Sequence, residues 1–251
     1  NFFRNLHITD KMGAEVNASY SSELGVTGFG VDISKIYIRS NNLGHRNRFM
    51  TNVFLEHQFK LFNNRLDITP GVAVTYFSDF KFHAFPGLDI GYRLNDHFKI
   101  YGNTGYTYRI PTYTDLFYSD PGTVGNANLE PEEALSVEIG SKYISPKFTG
   151  SFAFFYRDAS SLIDYIKENE TDRFMATNLR DLYTKGFEIN TSYNFKVNNL
   201  NQNLSLGYTY IEDEVGDLNI NFSRYSINSL KHHVTSRLST QLVKNINFNV
   251  I

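Results

Sequence analysis

The chain has 251 residues, a net charge of −2 and no cysteine, so disulfide staples and thiolate metal sites are excluded. Near-neutral charge gives no general attraction to nucleic acid. Hydrophobic residues make up 41% and mean hydropathy is −0.35, with no run near the ~18 apolar residues that a spanning helix needs. The chain opens at Asn1, with neither Met nor a signal peptide.

One pattern recurs along the chain. "LDITPGVAVTY" puts Leu66, Ile68, Val72, Val74 and Tyr76 on one face and Asp67, Thr69, Gly71, Ala73 and Thr75 on the other. "HFKIYGNTGYTYR" puts Phe98, Ile100, Tyr106 and Tyr108 against Lys99, Asn103, Thr107 and Arg109, with Tyr101 out of step. Leu135, Val137, Ile139 and Tyr143 oppose Ser136, Glu138, Gly140 and Lys142. Later segments repeat it: Phe187, Ile189, Tyr193 and Phe195; Leu204, Leu206, Tyr208 and Tyr210; Ile246, Phe248 and Val250. Period two is the signature of a β-strand with unlike faces, and the pattern predicts about twelve strands. No intervening stretch shows helical periodicity.

A one-sided strand suits a soluble sandwich or a membrane barrel. Three features favour the barrel. The strands are long, and a tilted strand needs ~9–11 residues to cross a bilayer. Tight connections (Ser21–Glu23, Asn63–Asn64, Leu94–Asp96, Pro146, Lys196–Asn201, Val243–Lys244) alternate with long ones (Arg39–Arg48, Ile110–Glu133, Asp158–Thr184, Glu212–Lys231), with a brief link at Ser78–Lys81 as the exception. Tyr and Phe gather toward strand ends, where amphipathic rings sit at headgroup level. The expected fold is therefore all-β: an antiparallel transmembrane β-barrel with short periplasmic turns and long extracellular loops.

The longest loop carries a motif. A strand ending at Arg109, then Pro111, "TDLFY", "GNANLEPE" and a descending strand with "SVEIG", resembles the TonB-dependent outer-membrane receptors. The match includes Arg109, Pro111, Thr112, Asp115, Leu116, Gly125, Asn126, Asn128, Leu129, Pro131, Glu132 and Glu138. "RLDITPGVAVTYFSD" before it and "NLRDLYTKGFEINTSYNF" after it, with Lys185, Gly186, Phe187 and Glu188, agree in order. The resemblance implies a ~22-stranded barrel filled by a plug. On that basis residues 1–251 are an internal portion of the barrel domain, lacking the plug and terminal strands. It also implies uptake of a large scarce nutrient, with energy from the TonB coupling complex through the plug. Within the family the segments look most like the cobalamin-receptor branch, while the siderophore branch shares much of the pattern. Implied partners are outer-membrane lipid and a small-molecule ligand such as cobalamin or an iron siderophore, in a Gram-negative outer membrane. A passive porin or structural barrel is the second reading, and a soluble β-sandwich adhesin a third.

Candidate ligand-binding residues are Arg109, Pro111, Thr112, Tyr113, Asp115, Tyr118, Asn126, Asn128 and Glu132. Local chemistry gives many of them a plainer job, that of folding the loop. Pro111 ends ladder donation, Asp115 accepts backbone N–H groups, and Gly125 and Asn126 suit left-handed backbone. Glu132, Glu138 and Arg109 are expected to form a charge cluster. His232-His233 lacks a carboxylate partner at metal-site spacing. "EDEVGD" (Glu212–Asp217) lacks the spaced ligands of a calcium loop and reads as a solvated acidic loop. Asn169 and Asn221 head glycosylation sequons, which carry little weight in a bacterium. The sequence shows no phosphate loop, nucleophile elbow, paired-carboxylate site or cofactor motif, so nothing in it argues for an enzyme.

Overall fold

The computed structural model describes residues 5–216, 221–224 and 230–250. Twelve strands pair side by side and antiparallel in chain order: β1 (His7–Ser22), β2 (Gly25–Ser40), β3 (Gly44–Leu61), β4 (Leu66–Phe77), β5 (Lys81–Arg93), β6 (Phe98–Arg109), β8 (Glu132–Ile144), β9 (Phe148–Lys167), β10 (Phe174–Val197), β11 (Leu200–Val215), β13 (His232–Val243) and β14 (Ile246–Val250). Two short strands, β7 (Thr123–Val124) and β12 (Phe222–Ser223), and one helix, α1 (Tyr113–Phe117), lie in the connections. The described residues thus form part of a barrel wall, with β1 and β14 as its edges.

Register aligns the apolar rows read from the sequence. Val31 faces Val53, which faces Val74; Ile139 faces Phe154, then Phe187, then Tyr210. Most of these side chains are exposed, as a lipid-facing band requires and a water-soluble sandwich forbids. The opposite, lumen face carries Glu56, Thr75, Asn103, Glu138, Glu188 and Thr209. Tyr101 falls on the lumen side, where its ring lies over Gly140: a Cβ there would sit 2.5 Å from Tyr101 Cζ.

The six tight connections read from the sequence close one end of the sheet, and the brief β4–β5 link lies at the other. The two-residue turn between β10 and β11 has Asn198 at φ 51° and Asn199 at φ 64°, the left-handed pair that matches strand twist. At the other end two connections differ from expectation. Arg39–Arg48 is not a long loop, because β2 and β3 run on to a short turn at Asn41–Leu43. Asp158–Thr184 is not a loop either. β9 and β10 reach 20 and 24 residues and turn only at 168–173. These lengths far exceed the ~9–11 residues that cross a bilayer, so the hairpin projects past the membrane. There β7 adds to β10 and β12 to β9, making a four-stranded tip. The region Glu212–Lys231 begins as strand, since β11 includes Glu212 to Val215; Asp217 lies outside the described residues.

The buried core is not in the barrel wall. Leu116, Leu129, Ile163, Tyr165 and Ala176 form one cluster, flanked by Phe80, Phe117 and Phe174. It packs the β6–β8 loop against the projecting hairpin at the loop end.

A candidate ligand-binding surface at the loop end

The loop between β6 and β8 is built from local hydrogen bonds. Thr112 caps α1: its Oγ1 accepts from the Asp115 N–H (3.2 Å), and Asp115 Oδ2 accepts from the Thr112 N–H (2.9 Å). This reciprocal pair satisfies donors that a helix start otherwise leaves open. One helical turn is too short to show a period, so periodicity gives no sign of it, and only the Thr112-x-x-Asp115 spacing marks its start. Further along, Asp120 accepts from the Gly122 and Thr123 N–H groups (2.8 and 2.6 Å) and from the Tyr118 hydroxyl (3.0 Å). Burial pushes the Asp120 carboxyl up. The Gly122 N–H, the Tyr118 hydroxyl, the Thr123 N–H and the Arg224 guanidinium more than offset this and hold it below the usual carboxylate range.

Gly125 does a different job from the one expected. Neither Gly125 nor Asn126 has positive φ. Instead the loop crosses α1 at Gly125, where a Cβ would lie 2.7 Å from Phe117 N and 2.8 Å from Asp115 O. The crossing is held by Gly125 N–H donating to Tyr118 O (2.7 Å) and Asn126 N–H to Asp115 O (2.8 Å).

Charged groups tie the loop to the wall. Arg109 and Glu132 face each other across β6 and β8 and form a two-pronged ion pair; Arg109 Nη1 also lies 3.8 Å from Asp115 Oδ2. Glu132 Oε1 accepts from the Ile163 N–H (2.8 Å), and Asp115 Oδ1 from the Tyr165 hydroxyl (3.0 Å). Glu138 does not join this cluster. It sits six residues further down β8, about 20 Å at 3.3 Å per residue, beside Tyr101.

Residues outside the motif complete the tether. The Arg48 side chain, 8% exposed, donates to both Asp79 oxygens (3.0 and 2.7 Å) and to Pro111 O (3.1 Å). It also lies against the Phe80 and Tyr113 rings. Among the described residues, the buried Tyr113 hydroxyl has no hydrogen-bond partner. At the loop's far side, Asn42 Nδ2 donates to Ser119 O (2.9 Å) and the Ser119 N–H to Asn42 Oδ1 (3.2 Å). Asn5 donates to the Tyr118 hydroxyl (3.2 Å). Asn178 clamps the returning strand: it accepts from the Glu130 N–H (2.8 Å) and donates to Glu130 O (2.7 Å) and Ser161 O (2.8 Å).

The candidate residues therefore divide. Pro111, Tyr113, Asp115, Tyr118, Asn126 and Glu132 are spent on internal contacts. Arg109, with its side chain 51% exposed, and Thr112 make internal contacts too but remain exposed, as does Asn128. Around them lies a set that the motif does not mark. Arg46 sits 3.8 Å over the Phe117 ring, Lys167 about 5 Å from Phe174 and Phe222, and Arg224 4.8 Å from Phe174. Apart from Lys167 and Phe174, these pairs join residues distant in sequence, so spacing could not reveal them. His232 lies on the outer face, its Nδ1 2.8 Å from the Tyr208 hydroxyl. Glu212 pairs with Lys185 (3.2 Å), and Asp213 accepts from Thr184 (2.5 Å).

Residues 2–245 match the family described as "TonB dependent receptor-like, beta-barrel". The chain belongs to the TonB-dependent receptor family. Its described strands build part of a barrel wall, with the elaborated connections at one end. Among curated relatives it is similar to the vitamin B12 transporter BtuB of Vibrio vulnificus, 25% identical over 112 residues, or 45% of this chain and 18% of the relative. Among solved structures it resembles the siderophore receptor PirA of Pseudomonas aeruginosa, with a TM-score of 0.75 at 17% identity over 98% of this chain and 45% of that one. A variant of the ferric enterobactin receptor PfeA of Pseudomonas aeruginosa gives 0.76 at 13%, over 97% and 40%. These structural likenesses establish the fold. The chain spans less than half the length of each of these relatives.

Proposed function

We propose that the protein is a receptor and transporter of the Gram-negative outer membrane, taking up a large, scarce nutrient with TonB-coupled energy. The lipid-facing apolar band, continuous from β1 to β13, supports the membrane setting. The observation that carries the receptor reading is the loop end. There a buried core and a set of cation–aromatic pairs hold a built surface above the barrel mouth. Passive pores need no such structure. In this reading the β6–β8 loop and the β9–β10 hairpin face the ligand. Arg109, Thr112 and Asn128 offer direct contacts, and the remaining motif residues position them. The chain is then part of the barrel domain of a longer receptor, whose plug and further strands supply gating and the coupling contact.

The ligand is a cobalamin-like compound, with ferric siderophores as competitors. The likeness to a vitamin B12 transporter supports the first, and the likeness in fold to siderophore receptors is neutral between them. Outer membranes from cells expressing the intact gene should bind labelled cobalamin saturably. Unlabelled cobalamin should displace it, and ferric siderophores should not. Uptake, but not binding, should vanish in cells lacking the coupling complex. Displacement by ferric siderophore, with no cobalamin binding by a folded barrel, would overturn the ligand assignment.

A further inference from the structure

A recess lies on the lumen face just below the β6–β8 loop. It measures about 240 Å³ and is lined by residues of three neighbouring strands, β6, β8 and β9. Register fixes which side chains turn into it. Arg109 faces Glu132 and Thr107 faces Ala134, while Arg157 on β9 faces Ser136. Ser161, at φ 55°, breaks the alternation of β9, and Leu162 beyond it joins the lining. Glu133 belongs to the other face, where its carboxylate accepts from the Tyr106 hydroxyl.

Charge in the recess does not cancel. Glu132 is saturated: the Arg109 fork holds both of its oxygens, and Oε1 also accepts from the Ile163 N–H (2.8 Å). The Thr107 hydroxyl donates to Ala134 O (3.2 Å). Arg157 is left over. It is exposed, and among the described residues its side chain has no ion pair, hydrogen bond or ring partner. Glu138, further down β8 on the same face, sits beside Tyr101 and outside the recess. Asp213 stands two strands away beyond Thr184, whose hydroxyl it accepts from (2.5 Å). One guanidinium, with five N–H donors and no acceptor, therefore faces a walled recess.

We propose that this recess is an oxyanion site: the Arg157 guanidinium takes one phosphate or carboxylate group carried by the nutrient, and Arg109 adds positive field from the opposite wall. Chemistry sets the sign and shape. A planar fork meets two oxygens of a carboxylate or phosphate at once, and such charge-assisted bonds are about twice as strong as neutral ones. Size sets how much enters. A volume of about 240 Å³ is below the roughly 300–1,000 Å³ of a pocket that encloses a whole ligand, so the recess takes one group while the rest lies against the loop end. Place sets the role. Arg109 forms one wall and also reaches Asp115 of the loop (3.8 Å), which makes the recess continuous with the surface above it. The inference rests on the receptor reading and adds to it the charged group that the nutrient must carry.

The test uses the full-length protein in isolated outer membranes, with inorganic phosphate as the first probe. An arginine-directed glyoxal reagent labels accessible guanidinium groups, and mass spectrometry of the digest reports each arginine separately. Phosphate should slow labelling of Arg157 several-fold, chloride at equal ionic strength should not, and Arg237 on β13 should be labelled alike in both. Equal labelling of Arg157 in phosphate and chloride overturns the proposal. The second probe is a pair of ligands: cobalamin, and cobinamide, the corrin without the phosphodiester. Arg157→Gln should lower cobalamin affinity several-fold, leave cobinamide affinity unchanged and keep the heat-modifiable mobility; Arg157→Lys should restore part of the loss. A loss shared equally by both ligands overturns the assignment to the nutrient. So does a cobalamin preference that the substitution leaves intact, which would make the recess a site for free phosphate. A folded barrel that binds neither corrin would instead sink the cobalamin reading. A bound anionic ferric siderophore should then shield Arg157, and free labelling of Arg157 under that ligand overturns the oxyanion site as well.

Discussion

Gly125 shows how one residue sets the loop. A side chain there must displace backbone, not a flexible side chain, because its nearest neighbours are the main-chain atoms of Asp115, Leu116 and Phe117. Gly125→Val should separate the crossing from α1 at a cost on the order of 1–3 kcal/mol to the loop. Amide exchange at 112–126 should rise while that of β6 and β8 stays constant. Asp115→Ala should act at the other contact, losing the cap, the Tyr165 hydrogen bond and the Arg109 ion pair. A cap alone is worth ~1 kcal/mol. The variant should bind ligand more weakly, with the loss tracking loop exchange. Asp120 adds a pH dependence. Its folded pKa lies below the unfolded value of 3.8. Its contribution is therefore fully present above about that pH and is lost as pH falls through the lower, folded value. Limited proteolysis at 118–124 should accelerate in that acid window, and Asp120→Asn should flatten the dependence.

At the scale of elements, the period-two strands were legible because lipid and lumen impose opposite demands on alternate residues. Legibility failed where those demands stop. β9 and β10 beyond the membrane meet protein or water on both faces, so Asp158–Lys167 and Phe174–Thr184 lose the alternation and read as loop. Two features mark the change from membrane strand to projecting hairpin: Ser161 at φ 55° and the register shifts between Asn178 and Leu182. Half the motif was legible too, since Thr112, Asp115 and Pro111 act on near neighbours. Arg48 and Asn178 were not, because their partners Pro111 and Glu130 lie 63 and 48 residues away. Asn178→Ala removes all three clamp bonds. It should loosen 128–131 and the hairpin together, seen as coupled gains in amide exchange at both, while β10 below Thr184 remains protected.

At the scale of the whole molecule, the two faces of the sheet predict opposite tolerances. Ile139→Arg puts a charge into the lipid-facing band and should cost ~2–4 kcal/mol near the bilayer midplane. Ser136→Arg, on the same strand but facing the lumen, should cost far less. Urea unfolding of the full-length protein in bilayers separates the two. Equal losses would contradict the face assignment.

The loop between β6 and β8 also has a mechanical meaning. It leaves the middle of the wall, is fastened to the β2–β3 turn through Asn42 and Ser119, and is fastened again to β10 through β7. Those anchors lie six interstrand steps apart counted from β3, about 29 Å of arc at ~4.8 Å per step. A sheet joined only edge to edge can flex like a hinge at every strand boundary. A chord drawn across the arc restricts that freedom between the two anchors. On the receptor reading proposed above, the described part of the wall keeps its curvature between those anchors when a ligand docks on it.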